Sequence, residues 1–302
     1  MWFESTQVEL VRDTFPEWMA FLFAFLSYLG SVWFVAPVVV LAYWFRDRHR
    51  FASWLGIVLG CYAVMVALKG LFMTPRPDVG PAIAPDALPT AAALLYAPAV
   101  EVHTTSFPSG HAIAAVVVWA MLALESDVGT RRTRFAAAGT MVVLVSFARI
   151  GAGVHYPIDV VVGALVGVCY VALALAIRDR ARRRGAHVAT TAMFTMGAIL
   201  SLVAFSTSGK PDAMALFGGC VGALLVWQYA TPSREPWPVA TRVFAHAALG
   251  LGVLGLVALT LLVVDSTLVW FGVGFVGGVI VVGLPTFATR TDTVSAQVET
   301  SS

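Results

Sequence analysis

Lys69 and Arg76 stand seven positions apart at the end of one apolar run, with Pro77 directly after the arginine. Pro108-Ser109-Gly110-His111 opens a second run, and a segment holding Arg149, His155 and Asp159 joins two more. These residue types meet the needs of a phosphate group. Planar guanidinium forks can bond two oxygens at once, and a lysine adds a point charge. Ser109 suits a helix N-cap, so the backbone N–H groups around Gly110 and His111 point out of a positive helix end. Glycine there lets an anion approach the backbone. Pro157 suits the first helical position, which puts Asp159 in the first turn, near His155. An aspartate accepting from one imidazole nitrogen holds the other as a free nucleophile. The implied chemistry is attack by His155 on phosphorus within a cradle of cations.

Taken singly, each of these residues has a plainer role. A lone arginine near a span end is ordinarily a snorkelling anchor, and Ser-Gly before an apolar run is commonly just a cap. Glu101, His103, His187 and His246 keep such plain readings, because none has a spaced partner. Convergence of three cations, two histidines and an aspartate on one face is what a structural role does not explain.

The elements that must position these residues are membrane helices. The 302 residues are 59% hydrophobic and 12% charged, with mean hydropathy +0.84. A soluble domain carries about twice that share of charge, so the excess apolar surface must meet lipid. The expected fold is all-α, a polytopic membrane helical bundle of about nine transmembrane helices. The runs are 19–45, 51–73, 109–125, 135–153, 157–177, 189–208, 212–230, 241–264 and 267–289. Gly30 or Pro37 is expected to bend the long first run, and the third is short. With the N-terminus outside, fourteen of the 19 basic residues fall in inner segments, among them Arg46, Arg48, Arg50 and the cluster Arg178 to Arg184. Only Arg12, Lys69, Arg76, Arg149 and Lys210 stay outside. The positive-inside rule fits this orientation, with the C-terminus cytoplasmic.

Parity then brings the three polar segments to one extracytoplasmic face, at the ends of spans two to five. A charge at the bilayer centre costs on the order of 2.5–3.5 kcal/mol even on lenient scales. Lys69 and Asp159 need a reason to lie inside spans, and a shared anionic ligand supplies one. Residues 1–184 form the expected chemical domain, with 185–290 an accessory four-helix membrane region and 291–302 a polar C-terminal tail that reads as disordered. The segment 78–106 is a long loop containing Pro81, Pro85, Pro89 and Pro98, placed to cover the site. Residues 2–15 read as a short amphipathic helix or a loose tail, without the basic region of a signal peptide. Cys61, Cys169 and Cys220 lack both disulfide and zinc spacing and read as core or lipid-facing residues. The near balance of 19 basic and 17 acidic residues, with no basic stripe, points away from nucleic acid.

The three segments resemble the signature of the type 2 phosphatidic acid phosphatase superfamily, which includes lipid phosphatases and the vanadium haloperoxidases. That signature reads Lys-x6-Arg-Pro, then Pro-Ser-Gly-His, then Ser-Arg-x5-His-x3-Asp. Here it is Lys69 to Arg76-Pro77, Pro108 to His111, and Arg149 through His155 to Asp159, with every internal spacing kept. One departure is Ala148, where the family has serine. The resemblance implies a phosphohistidine on His155, oriented by Asp159. His111 would protonate the leaving oxygen and then activate water. Lys69, Arg76, Ser109, Gly110 and Arg149 would hold the phosphate oxygens, with no metal or cofactor.

The expectation is therefore an integral membrane phosphatase of metal-independent type, acting on a lipid phosphate or polyprenyl diphosphate at the bilayer surface. A soluble sugar phosphate fits less well. Two rivals stand beside it: phosphotransfer to an alcohol acceptor, and a non-catalytic lipid transporter on the same fold. The later spans, with Asp265 near an outer end, permit transport, but their shortage of embedded charge argues against an ion pathway. Haloperoxidase activity is not expected, since those relatives are largely soluble. The sequence leaves the oligomeric state open.

Overall fold

Long apolar stretches rich in Ala, Leu and Val satisfy their own backbone only as helices when water is excluded. The computed structural model describes residues 3–229 and 266–300, with side chains described as far as Pro285. Among them every regular element is helical. In chain order these are α1 (Ser5–Thr14), α2 (Met19–Tyr28), α3 (Val32–Phe45), α4 (Arg48–Phe72), a 3-10 turn (Pro85–Ala87) and α5 (Thr90–Val100). There follow α6 (Gly110–Glu125), α7 (Arg131–Gly151), α8 (Pro157–Arg182), α9 (Ala186–Ser208), α10 (Pro211–Tyr229) and α11 (Thr267–Thr300).

Seven stretches among the described residues are long and apolar enough to cross a membrane: Met19–Phe45, Arg48–Phe72, Arg131–Gly151, Pro157–Arg182, Ala186–Ser208, Pro211–Tyr229 and Thr267–Pro285. The count of nine is thus not confirmed among the described residues. The expected span 109–125 is α6, of 16 residues, which at 1.5 Å per residue extends only about 24 Å. Its residues from Ala112 to Val118 are all buried, as in a core helix. The expected span 241–264 lies outside the described residues, as do His246 and Asp265. The long first run breaks between α2 and α3 at Leu29–Ser31, around Gly30, while Pro37 sits inside α3. A Cβ on Gly30 would stand 2.6 Å from the His111 carbonyl oxygen and 2.7 Å from Val145 Cγ1. Glycine is required there by close approach.

The chain forms two compact units, each built from separate stretches: Met1–Pro37 with Met65–Leu173, and Val38–Val64 with the described residues from Ala174 onward. In the first unit, Ala20, Phe23 and Ala24 of α2 pack against Tyr96, Ala99 and Val100 of α5 and against Ala148, Ala152 and Val154 at the end of α7. So the proline-bearing loop 78–106 contains a helix of its own. Ala148 lies within this apolar cluster, fully buried. Helix α8 approaches α6 through Gly163 and Gly167. A Cβ on Gly163 would lie 2.7 Å from the Ser109 carbonyl oxygen, and one on Gly167 would lie 2.8 Å from Val116 Cβ. Small residues allow such contact between helices. Helix α1 is ordered against this unit, with Val8 buried and Arg12 Nη1 donating to the Val79 carbonyl at 2.6 Å.

In the second unit α10 and α11 also meet through glycines, Gly218 and Gly222 against the backbone of Phe271 and Phe275. The Tyr43 hydroxyl donates to the Val282 carbonyl at 3.0 Å, and Trp44 Nε1 donates to Val281 at 2.9 Å. Arg48, fully buried, donates to the Pro285 carbonyl at 3.4 Å. Cys61 and Cys220 are buried, whereas Cys169 is exposed on α8. His187 stacks on Trp227 and meets the Gln228 side chain at 3.1 Å, a packing role.

Candidate active site

The connection from α7 to α8 carries His155. Gly153 turns the chain with φ 75°, a left-handed conformation that costs glycine nothing. Tyr156 precedes α8, and its N–H donates to Asp159 Oδ2 at 2.9 Å. Pro157 takes the first helical position and Asp159 the first turn, as its sequence position implies. A first-turn carboxylate bonded back to the N–H before the helix is the pattern of a capping box. Local chain geometry alone therefore aims Asp159 at the residue next to His155.

His155 Nδ1 lies 3.1 Å from Asp159 Oδ2. The same oxygen accepts from the Ser106 hydroxyl, in a short contact. A carboxylate can only accept, so Nδ1 carries the hydrogen and Nε2 presents its lone pair. Arg76 Nη1 faces Nε2 at 3.3 Å. His155 and Asp159 are essentially inaccessible, 1% and 0% exposed. Burial, and then the charges of Arg76, Arg149 and Lys69, hold the His155 pKa well below the ordinary histidine value. The ring is neutral at neutral pH, as a nucleophile must be. Burial also pushes the Arg76 guanidinium down to about 10, against the pull of Asp159, and leaves it charged.

The cations are held by backbone oxygens. Lys69 Nζ donates to the carbonyl of Thr105 in a short contact and to that of Ser106 at 3.4 Å. Arg76 donates from Nε to the Thr104 carbonyl at 2.6 Å and from Nη1 to the Val154 carbonyl at 2.5 Å. Arg149 is fully buried and donates from Nη1 to the Ala99 carbonyl of α5 at 2.7 Å. Its Nε and Nη2, and Asp159 Oδ1, have no hydrogen-bond partner among the described residues. Leaving charged donors buried and unpaired is costly. An arginine kept so has the donor set for an anion.

Ser109 is the N-cap of α6, its hydroxyl accepting from the Ala112 N–H at 3.4 Å. Its own N–H donates to the Asp159 carbonyl at 2.9 Å, which ties the start of α6 to the first turn of α8. Gly110 has a packing reason that its anion-facing reading does not include: an added Cβ would run into Met65 Sδ. His111 stands in the first turn of α6, half-buried, and its side chain has no hydrogen-bond partner among the described residues. The structure thus brings His155, Asp159 and Arg76 into direct contact, with Lys69 and Ser109 joined to them through Thr105, Ser106 and backbone.

Ser106 was not singled out by the sequence. It is fully buried, with its Oγ also 3.3 Å from His155 Nδ1. Its place two residues before Pro108 is the one signal that could have marked it. Aromatic rings close the outer edge, Phe3 meeting Tyr156 and Phe107 edge-on at 5.3 and 5.9 Å, with Phe72 against Phe107 at 5.0 Å.

Residues 50–183 match the family model described as the PAP2 superfamily. All eight residues derived from spacing lie inside the PAP2 segment, and so does Ser106, whereas Phe3 and α1 lie outside it. Among solved structures the chain is similar to that titled crystal structure of Aquifex aeolicus LpxE, at 24% identity over 57% of this chain and 93% of that one, with a TM-score of 0.42. No curated protein matches the chain.

Proposed function

We propose that the chain is a membrane phosphatase that hydrolyses a lipid phosphate or polyprenyl diphosphate through a phosphohistidine on His155. The observation that carries this reading is the bond from His155 Nδ1 to Asp159 Oδ2, which leaves Nε2 free beside Arg76. Nε2 attacks phosphorus, and the ester oxygen leaves with a proton from His111. Water then gives a proton to His111 and attacks the phosphohistidine, releasing inorganic phosphate and restoring the ring. Lys69, Arg76, Arg149 and the α6 N-terminus at Ser109 and Gly110 face the charge that builds on the equatorial oxygens. The unpartnered Nε and Nη2 of Arg149 support this role. The membrane-spanning setting and the exposed Leu71, Phe72 and Met73 just before Arg76 favour a substrate with an apolar tail. The charge distribution along the chain favours an extracytoplasmic site, with residues 1–184 carrying the chemistry and 185–290 accompanying it.

The test is phosphate release from a panel of lipid phosphates and polyprenyl diphosphates by detergent-solubilised protein, with and without EDTA. Acid-labile, alkali-stable label from a 32P substrate is expected on His155. Absence of both turnover and label on every substrate would sink the reading.

Two further results are expected. Imidazolium at position 155 is opposed by burial and by Arg76, so the acid limb of kcat/KM lies below the usual histidine range. Arg76→Gln removes one positive neighbour, raises the His155 pKa and moves that limb to higher pH. Ser106→Ala deletes one donor to Asp159 Oδ2 without touching phosphate. A buried hydrogen bond of about 1–2 kcal/mol corresponds to a fall in kcat of roughly 5- to 30-fold, with KM nearly unchanged; an unchanged kcat would remove Ser106 from the mechanism.

A further inference from the structure

Helix α8 ends in a dense run of arginines, at the opposite end from His155. Arg178 there bonds Asp179 at 3.3 Å and lies 5.5 Å over the Trp54 ring. That engages the neighbouring carboxylate. Arg180, Arg183 and Arg184 are exposed, and their side chains have no partner among the described residues. All three line a cavity of about 470 Å3 that also reaches Ile177, Val188 and Ala192. These same three apolar residues line a second cavity of about 450 Å3, which continues along α9 past Met196 and Ile199 to Leu200. One groove therefore has a cationic mouth and an apolar body. From Val188 to Leu200 it follows α9 for roughly 18 Å at the helical rise per residue. Ile177, Val188 and Ile199 are 37%, 37% and 57% exposed, on helices long and apolar enough to cross a membrane.

We infer that this groove binds an anionic phospholipid, its headgroup phosphate on Arg180, Arg183 and Arg184 and one acyl chain along α9 past Ala192 and Met196. Charge complementarity selects the headgroup: three unpaired guanidinium groups can hold phosphate oxygens by bidentate bonds, and basic pockets at the ends of membrane helices suit anionic headgroups. The apolar body selects a chain rather than a soluble anion. Each cationic neighbour at a membrane surface is worth roughly fivefold in affinity for an anionic lipid.

The experiment is native mass spectrometry of the full chain in detergent, titrated with phosphatidylglycerol and phosphatidylcholine of matched chains. Wild type is expected to retain phosphatidylglycerol in preference, and the triple variant R180Q/R183Q/R184Q to lose that preference by tenfold or more. Ala192→Trp, which fills the apolar body, is expected to weaken retention of both lipids. Equal retention of the two lipids by wild type, or a preference that survives the triple change, would overturn the proposal. Lipid retention unaffected by Ala192→Trp, or a change in oligomeric mass in place of lipid loss, would assign the groove to another occupant and overturn it as well. The readout is lipid mass, so it stands or falls independently of the proposed phosphatase reaction.

Discussion

Replacing His155 with alanine is expected to lower kcat by about 10^4-fold or more, while the protein still binds a phosphate substrate. Removing the nucleophile of a covalent mechanism abolishes the two-step route and leaves only what positioning and charge can do for direct attack by water. In the proposed mechanism the cations keep their backbone anchors after the change, since Lys69, Arg76 and Arg149 are held by the carbonyls of Thr105, Thr104, Val154 and Ala99, and Arg76 loses only its contact with the ring. KM should therefore move little. Trapped phosphoenzyme should vanish, and its persistence in the alanine variant would place the covalent site elsewhere. Steady-state kinetics and acid-quenched 32P labelling check both statements.

The second large effect is expected from Asp159→Asn, a fall in kcat of about 10^4-fold with normal folding. Asp159 Oδ2 accepts from His155 Nδ1, the Ser106 hydroxyl and the Tyr156 N–H. An amide has one oxygen and one donor nitrogen, and turning the nitrogen toward the ring would force the hydrogen onto Nε2. The ring would then present N–H, not a lone pair, to phosphorus. The tautomer can be read directly from 15N shifts of the histidine in micelles. Wild type should carry its proton on Nδ1, and the asparagine variant on Nε2. If both carry it on the same nitrogen, the aspartate acts by charge and not by tautomer.

Much of this site could be read along the chain because its key contacts are local. Asp159 reaches the Tyr156 N–H through helix geometry, Pro157 starts the helix, and Ser109 caps another. Spacing encodes such relations. The partners of the cations are of another kind. Ala99 holds Arg149, and Thr104 and Thr105 hold Arg76 and Lys69, through carbonyl oxygens that every residue type possesses. No residue identity announces them. Ser106 does contribute a side chain, but 53 positions separate it from Asp159, and a serine in a proline-rich connection looks like any turn residue. Helix α5 was hidden in the same way, since Thr90–Val100 is short, apolar without period and interrupted by Pro98.

Hydropathy located the seven long apolar stretches well, because length and composition are properties of a segment alone. It does not settle α6, whose 16 residues fall short of a full span and whose apolar side chains are largely enclosed by protein. A single sequence window cannot tell those two solvents apart. Gly110 illustrates the same ambiguity at one residue: anion access and the bulk of Met65 both call for the absence of a side chain.

The interleaving of the two units has a consequence for how such a chain can be divided or inherited. Val38–Val64 lies early in the chain, yet it belongs with the stretches that follow Ala174. Tyr43, Trp44 and Arg48 all donate to carbonyls between Val281 and Pro285. A gene shortened after codon 184 would remove the carbonyl partners that Tyr43, Trp44 and Arg48 find between Val281 and Pro285. The later helices are thus not a detachable passenger.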